Sequence, residues 1–214
     1  MTTSTRTFAD ARRWMAVGSE LFLDAVTGLG ESGFGADSGL PGWTRKHLAA
    51  HVAGNADALG HLVHWAATGV ETPMYASPEE RAHGIERGAT MPAAALDSWL
   101  HRSAETLAEA MDRLTPEQWQ HPVVTAQGRT VPATEIPWLR AREVNVHAVD
   151  LATGITFADL SSDFCEALVT DIVAKRGMAT LPPEVVDAPL AEVTAWLAGR
   201  PHSLSAAPML GPWI

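Results

Sequence analysis

The sequence predicts a mainly α fold: a four-helix bundle followed by a small C-terminal appendage. Three observations carry this prediction. Four long segments repeat apolar residues at helical spacing. The stretches between them are rich in Gly, Pro, Ser and Asp. Two of those stretches are long, as the crossing connections of a bundle require. A chain of 214 residues with a hydrophobic fraction of 46% is large and apolar enough for one full core.

The first helix is expected from about Phe8 to Leu29, where Phe8, Ala11, Met15, Phe22, Val26 and Leu29 recur on one face. Gly30 to Gly42 reads as a loop. Thr44 is a good N-cap for a second helix running to Thr68, and Gly69 is a stop signal. Pro73, Pro78 and Pro92 break the next stretch, leaving room for a short helix over Glu79 to Arg87. A third helix spans Ala93 to Leu114, with Pro116 just beyond it. Glu117 to Pro137 reads as extended, with a small hairpin in which Val123-Val124-Thr125 and Arg129-Thr130-Val131 flank Gln127-Gly128. The fourth helix starts near Pro137 and ends before Gly154. Asp163 to Arg176 and Leu190 to Ala198 are further helical segments. We divide the chain into a bundle over 1–159 and a small C-terminal region over 160–214.

The net charge of −10 argues against a nucleic-acid partner, which needs clustered Lys and Arg. Any anionic ligand must therefore be held by a few locally placed arginines. Cys165 is the sole cysteine, which excludes an internal disulfide and favours a reducing compartment. The N-terminus lacks the apolar core of a signal peptide, and no stretch reaches the ~20 apolar residues of a membrane span. The expectation is a cytoplasmic protein and, with no long exposed apolar stripe, a monomer.

The second helix carries His47, His51, His61 and His64. At about 100° per residue, Leu48, Val52, Leu59 and Leu62 define its apolar face, with His51 and Asn55 in or beside it. His47 sits further out, and His61 and His64 project to the opposite side, where they are solvated or locally paired. On the fourth helix Glu143 and His147 are four residues apart and share a face with Ile136, Leu139 and Val146. Asp150 lies there too. Two imidazoles and a carboxylate pointing inward fit an open, three-ligand metal site, but a buried Glu-His ion pair fits the spacing as well. Nothing near Cys165 in the sequence offers it a base, so it is read as a buried, inert thiol.

Gly42-Trp43-Thr44-Arg45, His47-Leu48-Ala49-Ala50-His51-Val52-Ala53 and Arg140-Ala141-Arg142-Glu143 leading into His147-Ala148-Val149-Asp150-Leu151 resemble the mycothiol-dependent maleylpyruvate isomerases, within the DinB-like metal-binding bundles. His64-Trp65-Ala66, Glu71-Thr72-Pro73-Met74-Tyr75, Ser77-Pro78-Glu79 and the run Thr125 to Ala133 narrow the resemblance to the isomerases. It implies zinc, or another divalent metal, on His51, Glu143 and His147. The implied reaction is the cis-trans isomerisation of maleylpyruvate to fumarylpyruvate, a step of gentisate-type aromatic catabolism, by reversible addition of the mycothiol thiolate. A mycothiol S-transferase on the same zinc is the alternative. A purely structural or sensory metal would need a fourth protein ligand, which His47 supplies only if the helix distorts.

Members of the family append a small α/β domain whose last helix carries a catalytic arginine, and Leu197-Ala198-Gly199-Arg200 matches that setting. The short span from Arg176 to Leu190 predicts a shortened appendage, α or α/β. Arg200, Arg81 and Arg129, in that order, are the candidates for holding the substrate carboxylates. Asp150 is left two roles, orienting a metal ligand or touching the cofactor.

Overall fold

A computed structural model describes residues 6–211 and Trp213. The described residues form two compact units, one over Phe8–Thr153 and one made of residues 154–211 and Trp213 with Arg6 and Thr7.

The larger unit is a helical bundle. Its long helices are α1 (Phe8–Val26), α3 (Arg45–Thr68), α5 (Ala93–Asp112) and α7 (Ile136–Asp150). Helix α1 ends three residues before the expected Leu29, because the chain turns through Gly28 at φ +76°. A short helix α2 (Gly30–Gly35) occupies the stretch expected to be loop, anchored by the buried Phe34. Gly69, at φ +73°, ends α3 by donating its N–H to Trp65 O at 2.8 Å, and left-handed backbone of this kind favours glycine. Helix α4 (Pro78–Ala89) is capped by the Ser77 hydroxyl, which accepts from the Glu80 N–H, and has Pro78 in its first turn. A one-turn helix α6 (Pro116–Trp119) precedes the antiparallel hairpin of β1 (Pro122–Val124) and β2 (Thr130–Pro132).

Helix α1 packs chiefly on α7, and α3 on α5 and α4. The approach of α1 to α7 is close enough that a Cβ at Gly18 would overlap the Asn145 amide, which itself donates to Trp14 O at 3.1 Å. Arg140 ties α7 to α3. Its buried guanidinium donates to Val52 O at 2.7 Å and to Asn55 Oδ1 at 2.9 Å. Burial lowers its pKa to about 10, which still leaves it charged near neutrality.

The smaller unit contains α8 (Ser162–Lys175), the one-turn helix α9 (Pro183–Val186) and α10 (Leu190–Leu197), and its described residues include no strand. Phe164, Leu168, Ile172, Val193 and Trp196 form its core. Arg176 closes it by donating from Nη2 to Leu197 O at 3.0 Å. Among the described residues, no helix is long and apolar enough to cross a membrane.

Candidate active site

Helices α3 and α7 bring His51, Glu143 and His147 together, and this is the trio picked out from facing positions in the sequence. His51 Nε2 lies 2.9 Å from Glu143 Oε2 and 3.1 Å from His147 Nε2, and His147 Nε2 lies 3.3 Å from Glu143 Oε2. Both imidazoles are buried, and Trp43 packs edge-on against His51 with ring centroids 5.7 Å apart.

On its far side His147 Nδ1 lies 2.9 Å from Asp150 Oδ2. A carboxylate only accepts, so a ring proton sits on Nδ1 and Nε2 is the nitrogen that faces Glu143 and His51. Two imidazole nitrogens and a carboxylate oxygen, all atoms that can ligate a metal, therefore converge within 4.8 Å of one another. Four-coordinate zinc with bonds of about 2.0–2.1 Å sets its ligand atoms roughly 3.3–3.4 Å apart, close to the spacing found here. The donor set fits a divalent cation.

The electrostatics prepare Glu143 and His51 as ligands, while they favour a proton on His147 that a cation would have to displace. Burial works to raise the Glu143 pKa, but the contacts with His147 and His51 outweigh it and hold the carboxyl well below its ordinary range. Burial lowers the pKa of His51, with Glu143 opposing, so that imidazole tends to be neutral as a ligand must be. For His147, burial works downward but is outweighed by the contacts with Asp150 and Glu143, which raise it.

His51 and Glu143 line a cavity of about 640 Å³, walled also by Tyr75, Arg81, Thr125, Gln127 and Arg142. Arg81 reaches the cluster directly, with Nη2 3.3 Å from His51 Nδ1. Arg142, which the sequence reading did not single out, is buried beside Glu143, with its guanidinium 6.0 Å from the Trp138 ring centroid. Its place in the run Arg140 to Glu143 was the only available signal. Tyr75 is kept a neutral phenol by burial, which raises its pKa.

The remaining candidates have varied surroundings. Arg129 is exposed on the hairpin, whose Gln127 and Gly128 line the cavity while Arg129 does not. Of the two roles left open to Asp150, the structure supplies the contact for orienting a ligand, and Asp150 is absent from the cavity wall. His47 is engaged with the Thr44 hydroxyl at 2.8 Å and lies 3.7 Å from Glu86, outside the cluster. In the smaller unit Arg200 is buried and donates to Ala198 O at 2.7 Å. Cys165 is buried there too, 3.7 Å from Phe157 O, and burial pushes its thiol pKa up to about 11.

The profile of the mycothiol maleylpyruvate isomerase N-terminal domain matches residues 16–152, the span that carries the cluster. The chain belongs to this family. Two solved structures resemble this isomerase-family chain over their whole length and its own. One is a mycothiol-dependent maleylpyruvate isomerase, 35% identical with a TM-score of 0.88. The other is a histidine-to-alanine mutant of a mycothiol-dependent maleylpyruvate isomerase, 34% identical with the same TM-score. No curated protein matches the chain. Membership of the isomerase family makes the chain an enzyme, with the cluster and its cavity as the place to look for its chemistry.

Proposed function

We propose that the chain isomerises maleylpyruvate to fumarylpyruvate, using zinc held by His51, Glu143 and His147 and mycothiol as the thiol. The observation that carries this reading is the convergence of His51, Glu143 and His147, of which His51 and Glu143 line an arginine-bearing cavity. The full-length similarity to a mycothiol-dependent maleylpyruvate isomerase supports it. When bound, the metal lowers the pKa of a coordinated thiol, whose reversible addition to the alkene permits rotation about the former double bond.

The chain's own residues do the rest. Glu143 supplies one negative charge to the ligand set, and Asp150 keeps the His147 Nε2 lone pair turned toward it. Arg81 and Arg142 hold the two substrate carboxylates and stabilise the enolate that develops between them. A guanidinium offers paired donors in a plane, so two of them orient a dicarboxylate as well as neutralise it. Tyr75 adds a neutral O–H donor. The resemblance proposes Arg200 as a further carboxylate binder. A cytoplasmic monomer is the proposed setting.

The test is an absorbance assay of maleylpyruvate turnover with mycothiol, with glutathione and without thiol, alongside metal analysis. Turnover with mycothiol by a zinc-bearing protein is expected, with zinc lost from His51→Ala and Glu143→Ala. Thiol-independent turnover, or wild-type zinc content in both folded variants, overturns the reading.

A further inference from the structure

A second cavity, of about 720 Å³, lies between α3, α4 and the Met74–Ala76 segment. It shares His51, Met74, Tyr75, Ala76 and Arg81 with the first, so the two cavities meet at a ring of the metal cluster. Their chemistry differs. The first holds Arg81 and Arg142, and once Glu143 serves a cation its wall favours anions. The second is mostly apolar inside, and apart from the shared Arg81 its charges are balanced or occupied. Arg87 donates to Glu80 at 2.7 Å, and Asp57 accepts from the Trp99 indole N–H at 2.8 Å. Beyond Arg81, which both cavities reach, a dianion gains little there.

Two glycines keep this space open. Glycine inside a helix is disfavoured relative to alanine, so its presence calls for a reason. Close packing is the reason at Gly88, where a Cβ would overlap that of Ala50. It is not the reason at Gly54 in α3 or Gly84 in α4. A Cβ at Gly54 would come no nearer than 3.8 Å to the Trp99 ring, and one at Gly84 no nearer than 3.9 Å to Arg87. Both positions accept alanine sterically, and both line the cavity. What their side chains would fill is the cavity itself.

An addition reaction needs the sulfur and the alkene carbon within bonding distance, while the remainders of the two molecules lead apart. Two cavities that meet at His51 provide separate paths. We propose that the second cavity holds the uncharged, hydroxyl-rich body of the thiol cofactor and that the first is left to the dicarboxylate. The apolar interior and the Trp99 ring suit the C–H faces of sugar-like rings, and Asp57, His61 and Glu80 line it with hydrogen-bond partners for hydroxyls. This assignment rests on the thiol-dependent reading above.

The test fills the second cavity from either helix, with Gly84→Leu and, independently, Gly54→Leu, and follows folding by thermal melting. The probe is S-methylmycothiol, which keeps the cofactor's body but cannot form a thiolate, titrated calorimetrically into zinc-loaded protein. Wild type is expected to bind it, and each folded leucine variant to bind it about tenfold or more weakly with an unchanged KM for maleylpyruvate. Gly84→Ala, with one methyl group, is expected to fold at least as stably as wild type and serves as the variant of smallest disturbance. Wild-type affinity in the folded leucine variants, no binding to wild type, or a raised KM for maleylpyruvate with unchanged probe affinity overturns the assignment. Turnover by wild type is measured separately. Active wild type with undisturbed probe binding in the variants sinks only this inference, whereas inactive wild type that binds the probe through this cavity sinks only the isomerase reading.

Discussion

Asp150 Oδ2 stands 2.9 Å behind His147 Nδ1, and this contact decides which ring nitrogen faces the cluster. Asp150→Ala removes the acceptor while leaving the three ligand residues in place. Zinc affinity is expected to fall 10- to 100-fold, or about that, in a competition titration with a chelating dye. Asp150→Asn retains an acceptor and is expected to lose less. Equal affinity in wild type and Asp150→Ala would mean that packing alone orients His147.

Two glycines make a stability prediction of opposite signs. Gly18→Ala forces α1 away from Asn145 on α7 and is expected to cost about 1–3 kcal/mol in urea unfolding. Gly60 lies inside α3 with nothing within 4 Å of an added Cβ, so Gly60→Ala is expected to stabilise by up to about 1 kcal/mol. If both variants move the same way, helix propensity rather than the approach of α1 to α7 governs position 18.

The role proposed for Arg200 is tested by steady-state kinetics on zinc-replete Arg200→Ala and Arg200→Lys proteins. Losing a contact to developing charge lowers kcat on the order of 10²–10³, and lysine cannot reproduce the planar pair of donors. Zinc content is expected to be unchanged. Near-normal kcat and KM in both variants would remove Arg200 from the reaction and leave the carboxylates to Arg81 and Arg142.

Cys165 is expected to resist iodoacetamide in the folded protein at neutral pH and to react quickly once the chain is unfolded. Its thiol pKa of about 11 means that the thiolate, the reactive form, becomes abundant only in strongly alkaline solution. Cys165→Ala should retain activity when mycothiol is supplied. Rapid alkylation of native protein, followed by mass spectrometry, would contradict the burial seen here.

The long helices were legible because each repeats an apolar stripe over several turns and is bounded by a cap such as Thr44 or a stop such as Gly69. The cluster was legible for the same reason, since a polar residue within an apolar stripe must meet others across the bundle. Helix α2 was not, because Gly30–Gly35 offers one apolar anchor, Phe34, and no period. Arg142 was missed because periodicity tells which residues turn inward but not where neighbouring helices part to leave a cavity. His61 was read as solvated or locally paired, which it is, but its place beside a cavity was hidden for a like reason. It is exposed, yet it lines the second cavity, with Nδ1 3.1 Å from Pro73 O.

The burial of Cys165 has a meaning for the durability of such a catalyst. A cis enone, the substrate class proposed above, is open to attack by thiols and amines, so a protein that binds one risks being alkylated by it. This chain has one thiol, withdrawn from solvent, and only two lysines among its 15 basic residues. Lys46 pairs with Glu31 and Lys175 with Asp171, and positive charge is otherwise carried by arginine, whose guanidinium stays protonated and unreactive. The polypeptide thus presents few thiols and amines that could compete with an added thiol for an electrophile. Chemical self-protection is thereby written into its composition as well as its core.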